Sequence, residues 1–352
     1  MKVDPESTIR VRVDPTNPGE FFACCGLLEL ADRLWCSDQV TGARVPYGML
    51  AAGWFDCGDT EFFVTVPGVG HTAGELITNL VEAGLSGGLT PAHRRERGEL
   101  ETKRRGLKKG GGKLPEAEEI RREDLGKLLR AGPVQVGPPF SYVLDWWLNG
   151  REKGLFSAIA AGHACVSREE REERDDDAIP KTWAGTQQVL RIARAALGDT
   201  ARAFETDRPF DYRRVMRCGP EEAEDEESAI RERIGPKSAG DKVEPFYFDS
   251  RHGANALPLD VGFSPDKLGM ESKAFPAVEL LCLIGLQRCR PVLTDTALIY
   301  EYSTWPIPLP VSVLPAAVCG LFGQAFSYRF ENAYRTDQRK HSGYLPATRV
   351  WR

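Results

Sequence analysis

The chain has 352 residues, 41% hydrophobic and 28% charged, with 46 Lys/Arg against 51 Asp/Glu for a formal charge of −5. That length buries a substantial core, as one large α+β unit or two modest domains. No apolar run approaches the roughly 20 residues that span a bilayer and no charged-then-apolar leader opens the sequence, so no membrane-spanning helix is expected and the protein is predicted to be cytoplasmic.

Thr8–Val13 alternates polar and apolar residues and predicts a half-buried strand. Asp14-Pro15-Thr16-Asn17-Pro18-Gly19 is dense turn chemistry, after which Phe21, Phe22, Cys25, Leu28 and Leu34 follow helical spacing. The chain therefore opens strand, tight turn, apolar helix. Trp54–Val66 predicts a hairpin, its turn preceding the strand-like EFFVTV at Glu61–Val66. His71–Leu85 predicts a helix stopped by Gly84 and the Gly87-Gly88 pair.

Arg94–Lys113 then sets nine Lys/Arg against three Glu on a glycine-rich backbone. It reads as a mobile basic arm suited to a polyanion, nucleic acid above all; the plain alternative is a solvated loop. Whole-chain charge hides this arm because Glu169–Asp177 and Glu221–Glu227 carry thirteen acids between them. Pro115–Arg130 has acids in its first turns and Lys127 and Arg130 in its last, as a helix dipole favours. Phe140–Trp147 is an aromatic cluster expected as a packed strand or core plug.

Thr186–Leu197 predicts an amphipathic helix closed by Gly198, with Arg191 and Arg194 on its polar side. Three-residue spacing can reach successive phosphates or simply face water. Gly219–Val243 reads as an acidic linker, Phe246–Phe248 as a short strand, and Phe275–Leu286 as a helix buried on most sides. Ala297–Ser303 predicts a strand, and the proline-rich TWPIPLPV after it must run extended or at a sheet edge. Strands and helices mix without regular βαβ alternation, so the expected class is α+β, a mixed sheet with packed helices and charged, flexible insertions. The regions are 1–90 (α+β), 91–133 (basic arm and helix), 134–218 (helical), 219–245 (acidic linker) and 246–352 (α+β), the last able to pack with the first as one domain.

Two further stretches carry candidate chemistry. Tyr328–His341 interleaves Tyr328, Phe330 and Tyr334 with Arg329, Arg335, Arg339, Lys340 and His341, a composition that either stacks bases while neutralising phosphates or faces a core. Asp249, Arg251 and His252 follow a strand in a turn, with Asp260 beyond, so a carboxylate could orient an imidazole for acid–base work. An Asx turn with a surface ion pair is the competing reading. No Gly-x-Ser-x-Gly, P-loop or His-Glu-x-x-His accompanies them, and the nine cysteines lack Cys-x-x-Cys spacing, so neither a metal nor a cofactor is expected. Cys24 and Cys25, among phenylalanines and leucines, read as inert core thiols.

Three blocks, Asp14–Trp35, Phe248–Arg288 and Tyr328–Tyr344, resemble the Csb/Csx-type proteins of subtype I-G (formerly I-U) CRISPR loci. The resemblance implies a non-catalytic subunit of an RNA-guided surveillance (Cascade) complex, in or beside the large-subunit position. Its implied partners are crRNA, target DNA, the other Cascade subunits and, through the complex, a recruited helicase-nuclease. The residues expected to meet phosphates are Arg104, Arg105, Lys108 and Lys109, with Arg335, Arg339 and Lys340 as a second patch and Arg251 and His252 as a third. The rival expectation is a metal-dependent nuclease or hydrolase built on Asp249, His252 and Asp260, or an acidic adaptor of the same complex.

Overall fold

The structure, a computed structural model, describes residues 8–36, 50–68, 70–87, 91–131, 134–144, 182, 189–205, 245–251, 275–322, 326–334 and 342–351. The acidic runs, Asp145–Trp147, His252, Asp260, Arg335, Arg339, Lys340 and His341 lie outside the described residues.

Asn17 caps the first helix, its side-chain oxygen accepting from Gly19 N while Pro18 occupies the first turn, where a missing N–H costs nothing. This helix, α1 (Pro18–Trp35), is buried at every residue except Arg33 and Trp35. Such a helix needs apolar partners on all sides, and it has them. Phe21 stacks on Phe55 at 5.5 Å in one sheet and on Tyr302 at 4.2 Å in another. Each phenylalanine or leucine so enclosed contributes about 1.5–3 kcal/mol over its exposed state.

The first sheet is antiparallel, in the order β1 (Thr8–Arg12), β3 (Glu61–Thr65), β2 (Ala52–Phe55), β8 (Leu309–Pro310). Its last strand is the proline-rich segment, placed on an edge where absent N–H donors are tolerated. The second sheet orders β10 (Ser342–Tyr344), β9 (Ser327–Tyr334), β7 (Ile299–Ser303) and β6 (Val292–Leu293), with β11 (Thr348–Val350) also on β9. A small ribbon pairs β4 (Leu85–Gly87) with β5 (Val134–Val136). The α+β class is what the structure shows; the mixed sheet of the expectation is replaced by ladders that are antiparallel throughout the described residues.

Helix α2 (Ala73–Ala83) starts on the Thr72 cap and ends at Gly84, whose φ of 67° suits glycine. Helices α3 (Pro91–Lys109) and α4 (Glu116–Ala131) form a hairpin, α5 (Val189–Glu205) follows, α6 (Pro276–Gly285) is buried along its length, and α7 (Leu314–Val318) is a short turn.

Three local expectations need correction. The basic arm is no mobile loop: Arg94–Lys109 lies in the helix Pro91–Lys109, and the glycine triplet ends it, with Gly110 N and Gly112 N both donating to Leu107 O and Gly111 at φ 76°. Helix α5 runs through Gly198 to Glu205, because one interior glycine costs only about 1 kcal/mol. Phe246–Phe248 is buried but joins no ladder, because Tyr247 stands at φ 64° instead of in the extended region; Tyr344 N donates to Tyr247 O and Phe248 N to the Glu279 carboxylate.

Candidate nucleic-acid interface

The basic side chains of α3 divide into a paired set and an unpaired one. Lys103 Nζ meets Glu118 Oε1 at 2.6 Å and Arg104 Nε lies 3.7 Å from Glu119 Oε1, both acids belonging to α4. In return, Arg121 of α4 grips Glu96 with two bonds of 2.8 and 2.9 Å, and Arg122 bridges Glu101 and Glu119. Those hydrogen bonds from Arg121 and Arg122 hold the Glu96 and Glu119 carboxyls below the usual range. The hairpin is thus zipped by charge along its shaft. At its tip Arg105, Lys108 and Lys109 are exposed and make no ion pair with a described residue, and exposed Lys113 lies just across the glycine turn. Cations at a helix C-terminus also suit its dipole, so the tip concentrates positive charge at low cost.

Arg191 and Arg194 project from the exposed side of α5, whose Val189, Ile192, Ala193 and Ala196 face the core. Arg194 Nε donates to Leu85 O at 3.2 Å, so this guanidinium braces the β4–β5 ribbon. Tyr334 is half-exposed at the end of β9, opposite Ser342. Its neighbours Tyr328 and Phe330 point inward at 4% and 1% exposure, so of the two roles open to these aromatics, packing is the one they fill.

Arg251 belongs to a polar knot. Its Nε donates to Asp249 Oδ1 at 2.8 Å, its Nη1 lies 3.0 Å from Glu20 Oε1, and its guanidinium stacks 4.2 Å from the Phe275 ring centroid. Asn17 Nδ2 donates to the same Asp249 oxygen, and Glu279 accepts from the backbone N–H groups of Phe248 and Asp249. Burial disfavours the Arg251 charge, but Asp249 and then Glu20 outweigh it and hold the guanidinium above its ordinary value. These bonds tie Phe248, Asp249 and Arg251 to the N-termini of α1 and α6. Asp249 therefore has its carboxylate committed to Arg251 and Asn17, which leaves a poor base for catalysis. Among the described residues no three His, Cys, Asp or Glu side chains cluster as a metal requires.

Cys24 and Cys282 are fully buried, and burial followed by a nearby glutamate charge pushes both thiols well up, as inert core cysteines should be. Cys319 is only partly covered, its thiol raised by burial to about 11.

The sequence gives no sign of the part that Asn17, Glu20 and Glu279 play in this knot. Each sits inside an apolar helix start, and the partners lie more than 200 residues away for Asn17, so no local spacing announces the knot. Beside the knot Phe248 packs on Tyr344 at 5.2 Å, and Tyr344 on Phe330 at 4.9 Å. Comparison with protein families, with curated proteins and with solved structures finds no match. No described helix is long and apolar enough to cross a membrane.

Proposed function

We propose that this chain is a non-catalytic, nucleic-acid-binding subunit of a subtype I-G CRISPR surveillance complex, acting in or beside the large-subunit position in a cytoplasmic assembly. Its partners are crRNA, target DNA and the other Cascade subunits, and a recruited helicase-nuclease cuts the strand. In RNA-guided recognition base pairing reads the sequence while protein holds backbone and displaced strands, which calls for projecting cations and no reaction centre. The observation that carries this reading is the tip of the α3–α4 hairpin, where Arg105, Lys108 and Lys109 stand exposed without acidic partners among the described residues. The resemblance of the three blocks supplies the family. Arg104, half-engaged by Glu119, is a secondary contact.

A salt titration of the assembled complex with crRNA and target tests it. Each phosphate contact contributes roughly 0.7–0.9 to the slope of log K against log salt. Changing Arg104, Arg105, Lys108 and Lys109 to Ala flattens that slope by about two to three if the tip grips phosphates. An unchanged slope removes the hairpin from the interface.

A further inference from the structure

Helix α3 turns one side to α4 and the other to open space. Glu96, Lys103 and Arg104 reach across to α4 and mark the side on which that helix packs. At about 3.6 residues per turn the opposite side carries Arg95, Gly98, Thr102, Arg105, Gly106 and Lys109, and every one of them is exposed. A Cβ added to Gly98 or Gly106 would meet nothing within 4 Å, so the space is open down to the helix backbone. Arg95, Arg105 and Lys109 make no ion pair with a described residue, and the exposed acid Glu99 stands only at the margin of the strip.

The two glycines are what the hairpin itself does not explain. Glycine is the poorest helix former after proline, and neither position has a close neighbour or a positive φ that would call for it. Thr102 keeps the strip low as well, its hydroxyl turned back to Gly98 O at 2.8 Å. The result is a smooth cationic strip, about 21 Å from Arg95 to Lys109, with little side chain between the charges.

We propose that this strip of α3 lies in the major groove of duplex DNA. The inference deepens the reading above and rests on it, naming the double helix as the ligand and adding the outer side of α3 to the tip. Charge complementarity commits the strip to a polyanion. Shape then chooses the duplex: an α-helix about 10–12 Å across with its side chains fits a groove about 12 Å wide. At Gly98, Thr102 and Gly106 it seats deeper than a helix with long side chains. Arg95 and Lys109, farther apart than the groove is wide, then reach phosphates on both banks. An unpaired strand is held by stacking its bases on aromatic rings, and the strip carries none.

The test uses the full chain with a fluorescein-labelled DNA duplex and with one of its strands alone. Gly98→Leu combined with Gly106→Leu alters no charge and favours the helix, so the hairpin stays folded while bulk is added to the strip. It is expected to weaken duplex binding about tenfold or more and to leave single-strand binding unchanged. Gly98→Ala with Gly106→Ala, which adds only a methyl group at each place, keeps duplex binding. Arg95→Ala lowers the salt slope for the duplex by about one contact. Melting temperatures establish that each variant is folded. If the folded Leu pair binds duplex like the parent while the hairpin-tip variant is weakened, the groove contact is refuted and the nucleic-acid reading stands. Equal weakening toward strand and duplex also refutes it. If the parent chain binds neither probe, the broader reading falls and the groove contact with it.

Discussion

Gly26 of α1 and Gly285 of α6 face one another where the two helices cross, each touching the other's backbone. A Cβ on Gly26 would press into Leu281 O, and one on Gly285 into Phe22 O, closer than any side-chain carbon approaches a carbonyl oxygen. The helices are thus in backbone contact at the centre of the fold, and the aromatic layers are built around that crossing.

Gly26→Ala or Gly285→Ala must push the helices apart or bend them, the overpacking that costs about 1–3 kcal/mol and sometimes more. Urea unfolding is expected to place each near the top of that range, with Gly98→Ala on the exposed hairpin neutral or stabilising, since a Cβ there meets nothing within 4 Å. Equal effects at Gly26 and Gly98 would contradict the crossing.

Arg251→Ala leaves the Asp249 and Glu20 carboxylates, 0% and 1% exposed, without their cation. Breaking a buried pair in this way costs about 3 kcal/mol. Arg251→Lys recovers little of it, because an ammonium cannot reproduce the forked bonds to Asp249 or lie flat on Phe275. A denaturation midpoint for Arg251→Ala within error of the parent would show the knot to be dispensable.

Asp59 sits at φ 55° in the β2–β3 turn, buried, with Oδ2 accepting from Tyr328 (2.8 Å) and Thr304 (3.0 Å) and Oδ1 left without a hydrogen bond. Burial raises its pKa more than those two hydrogen bonds lower it. With the folded value above the unfolded one, the folded state binds more protons between the two. Stability therefore falls as pH rises through that window and stays reduced above it. Asp59→Asn keeps an acceptor oxygen and tolerates positive φ. It is expected to be more stable than the parent at neutral pH, the gain vanishing below the ordinary aspartate range; a loss at neutral pH would reverse the sign.

Glu118→Ala with Glu119→Ala releases Lys103 and Arg104 from α4. The nucleic-acid reading expects tighter binding and a steeper salt slope for this variant, with the melting temperature essentially unchanged because exposed pairs add little to stability. Weaker binding would mean that the zipped shaft, and the direction in which it aims the tip, matters more than the number of free cations.

Elements whose signals are local were legible before any coordinates. Asn17-Pro18 marks the start of α1, Gly84 stops α2, and the apolar run after Pro276 is α6. The glycines of the arm read as a tract in the sequence, but they do not act as one. Gly98 and Gly106 are isolated within α3, and the partners that stabilise the helix come from α4. Pairing across sequence was illegible for the same reason. TIRVRV and EFFVTV each show alternation, but nothing local says that Arg10 will lie beside Phe63 or that β8 will join β2. The knot around Asp249 needs three segments at once, so only its turn residues could be picked out.

The strand Leu309–Pro310 completes a sheet begun at Thr8, and α6 clasps α1 from some 250 residues downstream. During synthesis at roughly 5–20 residues per second, α1 emerges tens of seconds before its mate exists. In that interval its apolar surface has no intramolecular cover, so the nascent chain is expected to depend on holdase chaperones or on early assembly, and premature termination before α6 yields an aggregating fragment.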